Sequence, residues 1–160
     1  MIKEYMLHPY KGIGEFIFGM SRNEVQQILG QPISSNKYGF PIEDRIFDDY
    51  GFFYTMFSNQ GVLEAVEFFP EYTEEEIVWN YGNLSIQLTA GREAILEGLN
   101  RFTDDLVQDE DESENYSSKK LGIKFYYPDD EDDVASLIVH DRHCYDEEEK
   151  YLRDLENGIE

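Results

Sequence analysis

The chain has one cysteine, Cys144, so no internal disulfide framework is available to it. Basic residues are scarce: thirteen Lys and Arg stand against thirty-five Asp and Glu, for a net charge of −22. That balance disfavours nucleic acid and anionic membrane, whose phosphates it would repel, and favours basic partners, which it would steer. No apolar run approaches the roughly 20 residues of a membrane span. Met1 to Gly14 has no signal-like stretch, since Lys3, Glu4, His8 and Lys11 interrupt it. The expected setting is a reducing cytoplasm. Catalytic signatures are also missing. Gly12-x-Gly14 lacks the third glycine of a dinucleotide fingerprint, and there is no Gly-x-Ser-x-Gly elbow.

What is present is a chain that reads as if written twice. Gly12, Phe16, Phe18, Val25 and Leu29 answer to Gly82, Ile86, Leu88, Ile95 and Leu99 at a spacing of 70. At a spacing of 71, Gly51, Phe52, Tyr54 and Met56 answer to Gly122, Ile123, Phe125 and Tyr127. Leu63, Val66 and Phe68 then answer to Val134, Leu137 and Val139. Apolar character recurs, not identity, as in a duplicated supersecondary unit. Twelve Tyr and eleven Phe favour strands over a helical bundle.

Local signals place the elements. Ser21 and Glu24 form a capping-box pattern, Val25, Ile28 and Leu29 share a face, and Gly30 and Pro32 close a helix over 21–29. Residues 1–15 read as an extended entry and 33–41 as a turn-rich connection. Strands follow at 43–48, 51–58 and 62–69, the last two joined as a hairpin through Ser58-Asn59-Gln60-Gly61. Phe52, Phe53 and Tyr54 leave the faces open: a sheet covered on both sides, or one face reserved for a partner. Thr73 and Glu76 suggest one helical turn in the join at 71–81. Leu84, Ile86 and Leu88 alternate as a strand. Ala94, Ile95, Leu99, Phe102 and Leu106 stripe a helix over 90–106, weakened by Gly91 and Gly98. Residues 107–118 read as a loop, 121–127 and 134–140 as a second hairpin, and Tyr145 to Glu156 as a charged helix.

The fold expected is α+β: two tandem repeats, each a helix packed on an antiparallel β-meander, in one two-lobed unit. Residues 1–80 form the first repeat, and 81–160 the second with an acidic C-terminal helix.

The pattern Phe18-Gly19-Met20-Ser21-x-x-Glu24-Val25-x-x-x-Leu29-Gly30-x-Pro32 leads through a polar stretch to an aromatic strand. Asn59-Gln60-Gly61-Val62-Leu63 then opens a final strand. This resembles the helix-plus-meander unit of the small outer-membrane-assembly lipoproteins, which occurs in tandem in the β-lactamase-inhibitor-protein fold. The resemblance implies two helix-on-sheet units joined into one long concave sheet. The lipobox cysteine of the first family and the disulfides of the second have no counterpart here, and no functional residue carries over.

Four candidate chemistries compete. His140-Asp141-Arg142-His143-Cys144 has ligand types acceptable to zinc but no second cluster to complete a site. Asp109-Glu110-Asp111-Glu112-Ser113-Glu114 resembles a calcium loop, yet Glu114 and Lys120 stand where an EF-hand needs Gly and Glu. Cys144 has no recognisable activating neighbour. The reading preferred is protein binding without catalysis, cofactor or metal. Asp109, Glu110, Asp111, Glu112 and Glu114 with Asp129, Asp130, Glu131, Asp132 and Asp133 would form a charged rim around Tyr116 and Tyr126. Such a surface suits a basic partner such as a toxin nuclease, and hence an immunity protein. The alternative is a small acidic housekeeping or structural domain with no dedicated partner.

Overall fold

The computed structural model describes residues 2–38, 45–108, 115–127 and 135–158. The order is β1 (Ile2–His8), β2 (Gly12–Ile13), β3 (Phe16–Ile17), α1 (Arg22–Leu29), β4 (Ser34–Tyr38), β5 (Arg45–Asp49), β6 (Phe53–Phe57) and β7 (Leu63–Phe68). Then come β8 (Glu76–Tyr81), β9 (Leu84–Gln87), α2 (Arg92–Phe102), β10 (Val107–Gln108), β11 (Asn115–Ser118), β12 (Ile123–Tyr126), β13 (Ser136–His140) and α3 (Asp146–Glu156). The class is α+β. Eight antiparallel strands run β10-β11-β12-β13-β7-β6-β5-β4, and five more run β3-β2-β1-β8-β9, in which β1 and β8 pair in parallel. Among the described residues no helix is long and apolar enough to cross a membrane.

α1 starts as its sequence dictates. Ser21 Oγ accepts the Glu24 N–H at 3.1 Å, and Glu24 Oε1 accepts the Ser21 N–H at 3.2 Å, so two orphan donors are satisfied reciprocally. The Gly30 N–H closes the last turn on the Gln26 carbonyl. Arg22 then reaches the sheet: its Nε and Nη2 each donate to the Asp48 carboxylate at 2.8 Å. Ser35 Oγ donates to the same carboxylate at 2.6 Å. Burial pushes the Asp48 carboxyl up, but the bonds from Arg22 and Ser35 outweigh it and hold it below the usual carboxylate range.

Several expectations are corrected. Residues 76–81 are not part of a helical join but strand β8. Thr73 is extended, its hydroxyl accepts the Glu75 N–H at 3.1 Å, and the helical turn lies earlier, a 3-10 turn at Pro70–Tyr72. Ile77 and Trp79 alternate into the core from β8, and a strand ladder to β1 outweighs one capping bond. The extended entry is β1, flanked on both sides by strands. The connection at 33–41 contains β4, an edge strand with exposed side chains over 34–37 that is held by its backbone ladder to β5. Of the loop expected at 107–118, β10 and β11 are strand, and 109–114 lie outside the described residues. α2 stops at Phe102 because Thr103 turns extended.

The eight-stranded sheet has two unlike faces. One carries Phe53, Val66, Phe68, Ile123, Phe125, Leu137 and Val139 into the main core. There they meet Leu7 and Trp79 of the smaller sheet, Val25 of α1, and Ile95 and Leu99 of α2. Alternate residues point the other way and form a second, smaller cluster. Met56, Ala65 and Cys144 are buried at its centre, with Phe47, Ile138 and Tyr145 around them. Gly98 lets α2 lie close on β9: a Cβ there would stand 3.0 and 3.1 Å from Cδ1 and Cγ2 of Ile86 and nearer still to its Cγ1.

Candidate functional site

The outer face of the eight-stranded sheet is the candidate surface. It follows from strand parity. Phe53 points inward and pairs with Phe68, so its neighbour Tyr54, paired with Glu67, points outward. The register carries the row onward, Glu67 opposite Ile138 and Ile138 opposite Lys124. Tyr54 packs on Phe69 at 4.8 Å between ring centroids, and Phe69 on Tyr72 at 5.6 Å. Tyr72 is 56% exposed. Across the sheet Tyr126, opposite Ser136, is 38% exposed. Tyr54 and Tyr126 lie on the face, and Phe69 and Tyr72 continue from its edge into the 3-10 turn; partly exposed aromatics are the side chains that protein interfaces favour.

Glu67 gives this face its electrostatics. Burial pushes its carboxyl up, and a hydrogen bond with the Ser136 side chain only partly offsets that. Glu67, a carboxylate set among Tyr54, Ile138 and Ser136 and short of solvent, would gain more from an incoming cation than one in open water.

The chain beyond β13 crosses this face and is pinned there. Arg45 donates from Nη2 to the Cys144 carbonyl and approaches Cys144 Sγ at 3.7 Å, while its Nε lies 3.9 Å from Glu64. Cys144 is fully buried, and burial pushes its thiol up to about 12, far from the thiolate needed for nucleophilic chemistry. The His140–Cys144 stretch is therefore divided: Cys144 lies under the outer face, while His140 and Arg142 border a cavity. Among the described residues no group of three or more His, Cys, Asp or Glu is arranged to hold a metal ion.

Of the residues expected to bind a partner, Tyr126 lies on the outer face. Tyr116 does not join it. Opposite Phe125 in the ladder, it stacks on that ring at 6.3 Å between centroids and packs against the main core. Asp109, Glu110, Asp111, Glu112, Glu114, Asp129, Asp130, Glu131, Asp132 and Asp133 lie outside the described residues. The sequence reading did not single out Tyr54, Glu67, Phe69 or Tyr72. The signal was the run Phe52-Phe53-Tyr54, whose parity only the register resolves. Comparisons with protein-family models, with curated proteins and with solved structures found no match.

Proposed function

We propose that this chain is a non-enzymatic protein-binding module that inhibits a basic partner, as an immunity protein neutralises a toxin by covering its cationic site. The observation that carries this reading is the outer sheet face. Tyr54, Phe69, Tyr72 and Tyr126 lie on or beside it, Glu67 stands opposite Tyr54, and α1, α2 and the second sheet pack on the opposite side. A net charge of −22 supplies the steering. The partner's cations would meet Glu67 and the acids of 109–114 and 129–133, which stand in for substrate phosphates.

The scaffold proposed is two tandem copies of a helix followed by a meander, and the register at the seam supports it. Glu67 pairs with Ile138, Val66 with Val139 and Phe68 with Leu137. At the 71-residue spacing Leu137 is the counterpart of Val66 and Val139 that of Phe68, so each residue pairs with the other's equivalent, as two-fold related copies require.

The test is affinity capture with the tagged full chain from its native lysate, at low and high salt, with mass spectrometry of the eluate. The expected result is one stoichiometric basic protein, weakened by salt and lost on Tyr54→Ala/Tyr126→Ala substitution. Neutralising both acidic runs should then slow association and flatten its salt dependence. Capture indifferent to the outer-face substitutions, or association kinetics unchanged by neutralisation, would refute the reading.

A further inference from the structure

In so acidic a chain, three of the thirteen lysines and arginines border one cavity of about 410 Å³. Lys119 and Lys124 come from the β11–β12 region, and Arg142 from the chain leaving β13. The cavity also takes Tyr10 from the β1–β2 turn, with His140 and Tyr145. Among the described residues no carboxylate lies within ion-pair distance of these three cations.

The wall is built rather than incidental. The Arg142 guanidinium lies 4.2 Å from the centroid of the Tyr10 ring, and Lys124 Nζ lies 3.9 Å from that of Tyr145. His140 meets both rings edge-on, at 5.9 Å from Tyr10 and 5.0 Å from Tyr145. Arg142, Tyr10, His140, Tyr145 and Lys124 thus form one continuous arc, each member fixing the next. Tyr10 is held in a left-handed backbone conformation, φ 62°, which non-glycine residues seldom adopt without compensation. Its hydroxyl donates to the Lys119 carbonyl, and its ring lies over Gly122, where a Cβ would come within 2.9 Å of it. A strained residue over-determined by its surroundings, at the edge of a cavity, is characteristic of a ligand clamp.

We propose that this cavity binds a small phosphate-bearing anion. Lys119, Lys124 and Arg142 would neutralise the phosphate, and the Tyr10–His140–Tyr145 arc would bound the organic part. Three cations match a phosphate dianion better than a single carboxylate, and Arg in particular suits phosphate oxygens. The volume is that of a small-molecule site. The cavity shares Lys124 and Tyr145 with the outer face, but its argument does not rest on the docking reading proposed above.

The experiment is titration of the full chain with inorganic phosphate, with adenosine 5′-monophosphate and with adenosine, at constant ionic strength. Heat and amide NMR shifts are the readouts. Both phosphates should bind, with shifts centred on Tyr10, residues 117–124 and residues 140–145. Binding should weaken about tenfold or more in Lys124→Gln/Arg142→Gln. Tighter binding of the nucleotide would assign the arc to the organic part, and equal binding would identify free phosphate as the ligand. Absence of response to either phosphate up to about 10 mM would overturn the proposal. So would a response of equal size to adenosine, or binding unchanged in a double variant with native circular dichroism. If that variant fails to fold, Lys119→Gln alone should weaken phosphate binding several-fold, and unaltered binding there would overturn the proposal.

Discussion

Substituting alanine for Gly98 sets two effects of opposite sign against each other. Gly98 lies in the middle of α2, where alanine is favoured over glycine by about 1 kcal/mol. On propensity alone Gly98→Ala should stabilise. The added methyl, however, would overlap Ile86, whose Cγ1, Cδ1 and Cγ2 all lie in its path. Ile86 is 2% exposed and β-branched, so its χ1 has little freedom to yield. Overpacking of this kind costs about 1–3 kcal/mol. Because the clash involves a branched side chain on a strand, the upper part of that range applies, leaving a net loss of about 1–2 kcal/mol. For a chain of this size that lowers Tm by about 2–8 °C. The single tryptophan, Trp79, is fully buried, so its fluorescence reports urea unfolding directly. Ile86→Ala completes a double-mutant cycle. Alone it should cost about 2–5 kcal/mol. In the Gly98→Ala background it should cost at least about 1 kcal/mol less, since the methyl refills part of the space. A Gly98→Ala protein as stable as the parent, or a coupling energy of zero, would refute the close α2–β9 approach.

Two further outcomes follow from buried groups. Arg22→Ala leaves the buried Asp48 carboxylate with only the neutral donors Ser35 and Gln26; breaking such a pair costs about 3–5 kcal/mol, reduced to about 2–3 here because the Arg22 side chain is 35% exposed. In the parent, the lowered Asp48 pKa makes its contribution complete above the unfolded carboxylate value and lost as pH falls through the folded one. In the variant, burial is opposed only by the Ser35 and Gln26 hydrogen bonds and the pKa rises, so its deficit should shrink as acid protonates Asp48; urea melts at pH 7 and pH 5 that show an equal or larger deficit at pH 5 would contradict this. Cys144, with its thiol pushed up to about 12 by burial, should react with a disulfide reagent at pH 8 orders of magnitude more slowly in the folded protein than in urea. Labelling at the rate of an exposed thiol would show that the outer-face cluster is open.

The elements legible in the sequence are those whose causes are local. Ser21 and Glu24 lie three residues apart and cap each other, so α1 is read from a handful of letters. β6 and β7 are joined by a short turn and are equally plain. β8 was misread because Thr73 and Glu76 imitate a cap, while what makes 76–81 a strand is Lys3 opposite Ile77 and Tyr5 opposite Trp79, partners more than seventy residues away. β4 was missed because Ser34, Ser35, Asn36 and Lys37 show no apolar alternation, and an edge strand needs none. On the proposed two-repeat scaffold, the 71-residue spacing is one residue out in β6. The ladders place Thr55 opposite Val66 and Phe125 opposite Leu137, so Thr55, not Tyr54, stands where Phe125 stands. The same parity hid the candidate surface. Tyr116 and Tyr126 are close in sequence to Phe125, and only the register sends one inward and the other out.

The pairing of β1 with β8 sets an order of events as the chain is made. β1 is the middle strand of its sheet, and one of its two neighbours, β2, follows within a few residues. The other, β8, emerges from the ribosome some seventy residues later, a matter of seconds at roughly 5–20 residues per second. During that interval the open edge of β1, with Leu7 and the ring of Tyr5 unshielded, is a template for any extended segment nearby. The first half can therefore start its helix and meander early but cannot seal its own smaller sheet. Completion of β1 reports that synthesis has passed β8, and a nascent chain stalled before residue 76 would be the form most in need of a chaperone.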